Sequence, residues 1–194
     1  QYLQHESVAA VAMKIVPDNV DDARWKDVPL AQVQLASQRT VRLNDRAANA
    51  WVEQSAVTSL SVQAVFSAEQ LAILITWADD TEDRTNRDEV NTFADAIALE
   101  VPIQFGVGKR LPHVAMGDEG ASVLVHRLRA EQDNGTPSQF VARGFGTLTR
   151  SPCEFSGRLI YNEDEKRWRA LFVVPLRSLK DASKVGGVPM AVAR

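Results

Sequence analysis

The stretch LPHVAMGDEG, Leu111 to Gly120, places a methionine three residues after a histidine and directly before a Gly-Asp pair. A thioether is a soft, neutral ligand suited to iron, and in an axial position on haem it raises the reduction potential. Methionine is equally a filler of irregular gaps in a core, so Met116 alone leaves both readings open. The imidazoles available as bases or nitrogen ligands are His5, His113 and His126, and His126 lies on an apolar strand face that suits a core histidine as well as a ligand. Hydrolytic chemistry has little to work with. There is no Gly-x-Ser-x-Gly elbow and no His-Glu-x-x-His. The single cysteine, Cys153 in RSPCEFSG, has no base beside it. One cysteine also excludes an intrachain disulfide, a paired-cysteine metal site and a Cys-x-x-Cys-His attachment for covalent haem. The acidic run Asp79, Asp80, Glu82 and Asp83, with Asp88 and Glu89, offers oxygen ligands for calcium. It lacks the EF-hand glycine and spacing and reads as a solvated loop. The Gly-x-Gly of RGFGTLTR leads into a strand-like segment, so it does not form a phosphate cradle at a helix N-terminus.

The elements that must position these residues are strands. In SLSVQAVF, Leu60, Val62, Ala64 and Phe66 share one face. In LAILITW, Leu71, Ile73, Ile75 and Trp77 oppose Ala72, Leu74 and Thr76. This period of two predicts a hairpin. DAIALEVPIQ, ASVLVHRLRA, SQFVARGFGTLTR and GRLIYNEDEKRWRALFVVPL continue the pattern. Many short strands without helical crossovers predict an all-β, antiparallel sandwich. Short helices are expected near Val28 to Val33, in NTFADA and in LRSLKDASK.

A length of 194 residues suits one domain, expected to span 1–194. A net charge of −3 gives no electrostatic reason to expect nucleic acid or an anionic membrane as partner. No apolar run reaches the roughly 18 residues of a transmembrane helix. The start at Gln1 fits a mature exported protein or a fragment. The final alternation of Val188, Met190 and Val192 stops in mid-pattern at Arg194, so the domain is expected to continue past it.

Taken in order, DDARWKDVPL, the hairpin ending LAILITWADDTEDR, DAIALEVPIQ, AMGDEGASVLVHRLRA and GRLIYNEDEKRWRALFVVPLRSL resemble the haem-b-binding gamma subunits of periplasmic molybdenum enzymes related to ethylbenzene, dimethylsulfide, chlorate and selenate oxidoreductases. The resemblance runs from about Val20 onward. It implies a sandwich similar to the ninth family of carbohydrate-binding modules, with the haem in its core region and Met116 as one axial ligand of the iron. It further implies a lysine as second axial ligand, at a position beyond Arg194, with Lys184 as fallback. His126 stands where relatives often carry tryptophan, which makes it an alternative ligand or pocket residue. Phe66, Ile73, Ile75, Trp77, Leu99, Leu124 and Phe172 are candidate walls, and Arg127 and Arg129 are candidate propionate partners. The implied role is electron transfer in the periplasm, between a soluble c-type cytochrome and the iron-sulfur beta and molybdenum alpha subunits. The competing reading is a carbohydrate-binding module, which would expose some of Trp25, Trp51, Trp77 and Trp168 for stacking on sugars.

Overall fold

A computed structural model describes residues 7–35, 59–84, 94–113, 116–131, 135–179 and 186–193. The period-2 segments form strands, and the molecule is an all-β sandwich of two sheets. The first sheet holds β1 (Ala10–Ala12), β2 (Ala31–Gln34), β3 (Ser59–Phe66), β4 (Gln70–Ala78), β9 (Ser156–Asn162) and β10 (Arg167–Pro175). Its order is β1-β3-β4-β10-β9. β1 and β2 share the free edge of β3 end to end, β1 parallel to it and β2 antiparallel. The second sheet holds β5 (Ala96–Pro102), β6 (Val123–Arg129), β7 (Thr136–Ala142), β8 (Thr149–Ser151) and β11 (Ala191–Ala193), in the order β11-β5-β6-β7-β8. The region expected to be helical near Val28 to Val33 is instead a 3-10 turn at Ala23–Asp27 followed by β2. Alternating Ala31 and Val33 inward against Gln32 and Gln34 outward suits an edge strand better than a short helix. Of LRSLKDASK, a 3-10 turn covers Leu176–Ser178.

Between the sheets lies the main core. Leu60, Ile73, Ile75, Trp77, Trp168 and Phe172 from the first sheet meet Ile97, Leu99, Val101 and Leu128 from the second, together with Phe155 and Leu159. Trp77 and Trp168, cross-strand partners on β4 and β10, stack with ring centroids 6.3 Å apart. A second cluster covers the opposite face of the first sheet, where Val16, Val20, Trp25 and Val28 close over Val65, Ala72, Leu74, Leu171 and Val173. The Trp25 indole N–H donates to the Asn19 carbonyl at 3.0 Å, and the Gln63 amide ties the Trp25 and Val28 carbonyls to β3. β4 and β10 are therefore apolar on both faces because both faces are buried.

Candidate functional site

The outer face of the five-stranded sheet follows from its register. Ala98, Glu100, Val125, Arg127, Ser138 and Phe140 point to one side, because Ala98 pairs Arg127, Glu100 pairs Val125, and these pair Ser138 and Phe140 in turn. Ile97, Leu99, His126 and Leu128 point to the other, into the sandwich. Consecutive strand residues must face opposite ways, so His126 and Arg127 cannot serve one ligand together.

Met116 belongs to the outer side. Its backbone N–H donates to Glu100 Oε2 at 2.9 Å, and its carbonyl accepts from the Gly144 N–H at 2.8 Å. The adjacent Gly117 N–H reaches the His113 carbonyl, closing the turn, and Asp118 bridges Ala121. Gly117 must be glycine: at φ 68°, a Cβ would sit 2.8 Å from the Ala121 carbonyl oxygen and 3.3 Å from Val123 Cγ1. This close approach is what buries Val123 completely. Met116 itself is half-buried and belongs to neither apolar cluster.

Its backbone carries a further signal. Among the described residues only Met116 (φ 64°) and Lys166 (φ 50°) adopt positive φ without being glycine. Lys166 closes the tight NEDEK hairpin, whereas Met116 lies in a loop where the left-handed conformation costs roughly 1–2 kcal/mol. Strain of this kind persists where surrounding contacts enforce it, and such sites are often functional. Met116 is clamped on both sides of its Cα, which is how the strain is held.

The electrostatics of the turn are local. Burial raises the Glu100 carboxyl above its ordinary range, opposed by the Met116 amide hydrogen bond and the nearby His113 charge. Asp118 lies below the usual carboxylate value: partial burial works against this, but the Arg110 guanidinium and the His113 and Gly120 amides outweigh it. Beside the turn an open cleft of about 720 Å³ is lined by Arg110, Leu111, Pro112, His113, Gly117 and Phe145, among others. At the other end of the face, Arg127 lies over the Phe140 ring at 4.8 Å, with its Nε donating to Ser138 Oγ at 3.1 Å. Arg150 on β8 is the cross-strand partner of Phe140. Burial lowers the Arg127 pKa and the Arg129 and Arg150 charges add to this, while Glu131, ion-paired with Arg129, works against it.

The other expected site residues lie elsewhere. His126 is 1% exposed and packs edge-on against Phe155 at 4.7 Å. Neither ring nitrogen has a hydrogen-bond partner. Its pKa is lowered to about 4 by burial, which the neighbouring Gln139 amide and the Glu154 charge only partly offset. Gln139 spends its own amide on Ser151, Pro152 and the Glu154 N–H. Trp77, Ile73, Ile75, Leu99 and Phe172 all belong to the main core, filling the space between the sheets. Phe66 is exposed and Leu124 half-buried. The structure thus places Met116 and Arg127 on one face and His126 and Trp77 behind it. The space between the sheets is filled by core side chains, whereas the outer face of the five-stranded sheet carries Met116 and Arg127. Arg150 went unnoticed in the sequence, although its place opposite Phe140 follows once RGFGTLTR is read as a tight turn into a returning strand.

Trp25, Trp77 and Trp168 are at most 4% exposed, so none forms a stacking platform, and Trp51 lies outside the described residues. His5, Lys184, Asp88 and Glu89 also lie outside them. In the acidic run, Asp79 accepts from Thr81, Glu82 pairs with Arg84, and Asp83 takes a contact from Thr81. No helix among the described residues is long and apolar enough to cross a membrane.

No protein-family model matches this chain. Over 143 residues, 74% of its length, the chain is 29% identical to a protein of Haloferax mediterranei named a respiratory nitrate reductase heme subunit. The match covers 47% of that protein, so the chain spans about half the length of the relative it resembles.

Proposed function

We propose that this chain is an electron-transfer subunit that holds a non-covalent haem b against the outer face of the five-stranded sheet, with Met116 as one axial ligand. The observation that carries this reading is the clamped, left-handed backbone of Met116, a strained presentation that gap-filling in a core does not require. The name of the Haloferax relative supports a haem and a reductase assembly. A haem bound there would supply a one-electron ferric/ferrous couple.

The chain's own residues then divide the work. Met116 offers a neutral sulfur that favours the ferrous state. Ala98, Val125 and Phe140 give an apolar floor, and Arg127 and Arg150 present cations for propionates. The Met116 turn, above Val123, and Arg127 are separated by four residues of β6, roughly 13 Å at strand rise. A lysine would serve as the second iron ligand, with Lys184 as the candidate within the sequence. β11 pairs Ala191 with Glu100, the residue that anchors Met116. Such a lysine must be neutral to donate its lone pair. His126 and Trp77, in the core, are given no part in holding the group.

In this reading the chain performs no substrate chemistry. It would relay electrons between a soluble c-type cytochrome and the iron-sulfur and molybdenum subunits of a periplasmic oxidoreductase, inward if the partner is a reductase as the relative's name suggests. The test is the absorption spectrum of protein expressed with sufficient haem, with pyridine haemochrome analysis. A Soret band and a haem b signature are expected, and their absence would sink the reading. Met116→Ala should lower haem retention or shift the midpoint potential downwards. An unchanged spectrum and potential would remove Met116 as ligand.

A further inference from the structure

We infer that Glu100 is the positioning residue for Met116, an inference that rests on the haem reading for its functional meaning but not for its geometry. Glu100 sits in β5 between two partners, paired with Val125 of β6 and Ala191 of β11, so its backbone belongs to the rigid interior of the sheet. A carboxylate at this half-buried position, between alanine and valine neighbours, is poorly solvated. It is put to use on one donor, the Met116 N–H at 2.9 Å.

The turn around Met116 is otherwise closed on itself. Gly117 N–H meets the His113 carbonyl, Asp118 Oδ2 accepts from the His113 N–H, and Asp118 and Ala121 exchange backbone bonds. These bonds give the turn its shape, and the close packing of Gly117 against Val123 and the Ala142 carbonyl seats it on the sheet. Among the described residues, two hydrogen bonds hold Met116 itself from outside its turn: the Gly144 N–H on its carbonyl and the Glu100 carboxylate on its N–H. Gly144 belongs to the turn leaving β7, whereas Glu100 rises from the sheet floor. Glu100 is therefore the side chain that sets where the sulfur is presented and holds the unfavourable φ. It touches neither iron nor porphyrin in this scheme and acts through the methionine alone.

Three substitutions separate this role from mere support of the fold. Glu100→Gln keeps an oxygen acceptor. Glu100→Val removes it while suiting a strand, and Glu100→Ala provides a second acceptor-free variant should valine disturb the sheet. In haem-free protein, amide hydrogen exchange at Met116 should quicken on the order of tenfold or more in the valine and alanine variants, the loss of one hydrogen bond to a charged acceptor. It should quicken less in the glutamine variant, whose amide oxygen still accepts the bond without the charge. In haem-loaded protein the same two variants should lose the spectral signature of sulfur ligation and fall in midpoint potential, with glutamine restoring both. Unchanged exchange at Met116 in both acceptor-free variants would overturn the inference, as would an unchanged sulfur signature and potential. If the parent chain takes up no haem, the haem reading fails, and the exchange rates alone still decide whether Glu100 holds Met116.

Discussion

The two sheets of this sandwich have opposite outer faces. On the six-stranded sheet the chain covers itself, with Trp25 and three valines sealing β3, β4 and β10 under an apolar lid. On the five-stranded sheet the corresponding face stays half-exposed and mixed, with alanine, valine and phenylalanine among a carboxylate and arginines. Both faces are built from the same alternating strands. The difference teaches that the first face is sealed for stability, whereas the second carries the strained Met116 loop, a carboxylate and arginines on residues that stay half-exposed, features that add nothing to the packing of the fold.

The comparison breaks most directly at Trp25. Trp25→Ala empties the lid and should cost about 3–5 kcal/mol in chemical denaturation, with the haem spectrum of the surviving folded protein unchanged. A spectral change would mean that the two faces are coupled. His126 tests the partition from inside the five-stranded sheet. Its folded pKa of about 4 lies below the ordinary imidazole value of 6.5, so between those values the unfolded chain takes up a proton that the folded chain refuses. Stability should therefore fall as pH drops from 6.5 to 4 and level off below, by about 3 kcal/mol from this group. His126→Leu should flatten that slope, and equal slopes in parent and variant would show that the imidazole is not buried neutral.

A smaller effect is expected from Arg127→Ala combined with Arg150→Ala. Haem should be retained less well, by about tenfold for two partly solvated ion pairs, while the denaturation midpoint moves little. Unaltered retention would detach this end of the face from the cofactor. The smallest change in stability is expected from Met116→Gly. Glycine takes φ 64° without penalty, which offsets its greater entropy loss on folding, so stability should stay within about 1 kcal/mol of the parent or rise. Haem ligation should nonetheless be lost. A large destabilisation would return Met116 to the role of core filler.

Much of the fold was legible because hydrophobic alternation is a local property. LAILITW announces both of its faces, and β5, β6, β7, β9 and β10 fall where the alternation puts them. The segment at Val28 to Val33 is ambiguous in sequence because four to six residues carry too little periodicity to separate an edge strand from a turn of helix, and the structure makes Ala31–Gln34 a strand. The site was legible only in pieces. Met116 stands out by residue type and by the Gly-Asp that follows it, yet grouping it with His126 and Trp77 joined residues from two sides of a sheet. The alternation in VLVHRLR already forbids His126 and Arg127 from sharing a face, so part of that grouping could have been refused from sequence.

By itself, then, the sequence determined the strands, the alternation within each and the choice of a thioether in a glycine-bearing loop, because these depend on neighbours along the chain. Only the tertiary structure decided which face each alternation presents, since burial depends on what packs above. It brought Glu100 under the Met116 amide across sixteen residues and Gly144 against its carbonyl, and it set Arg150 opposite Phe140. The left-handed backbone of Met116 is of the same origin. No local preference of methionine favours it, and only contacts made from distant strands can hold it there.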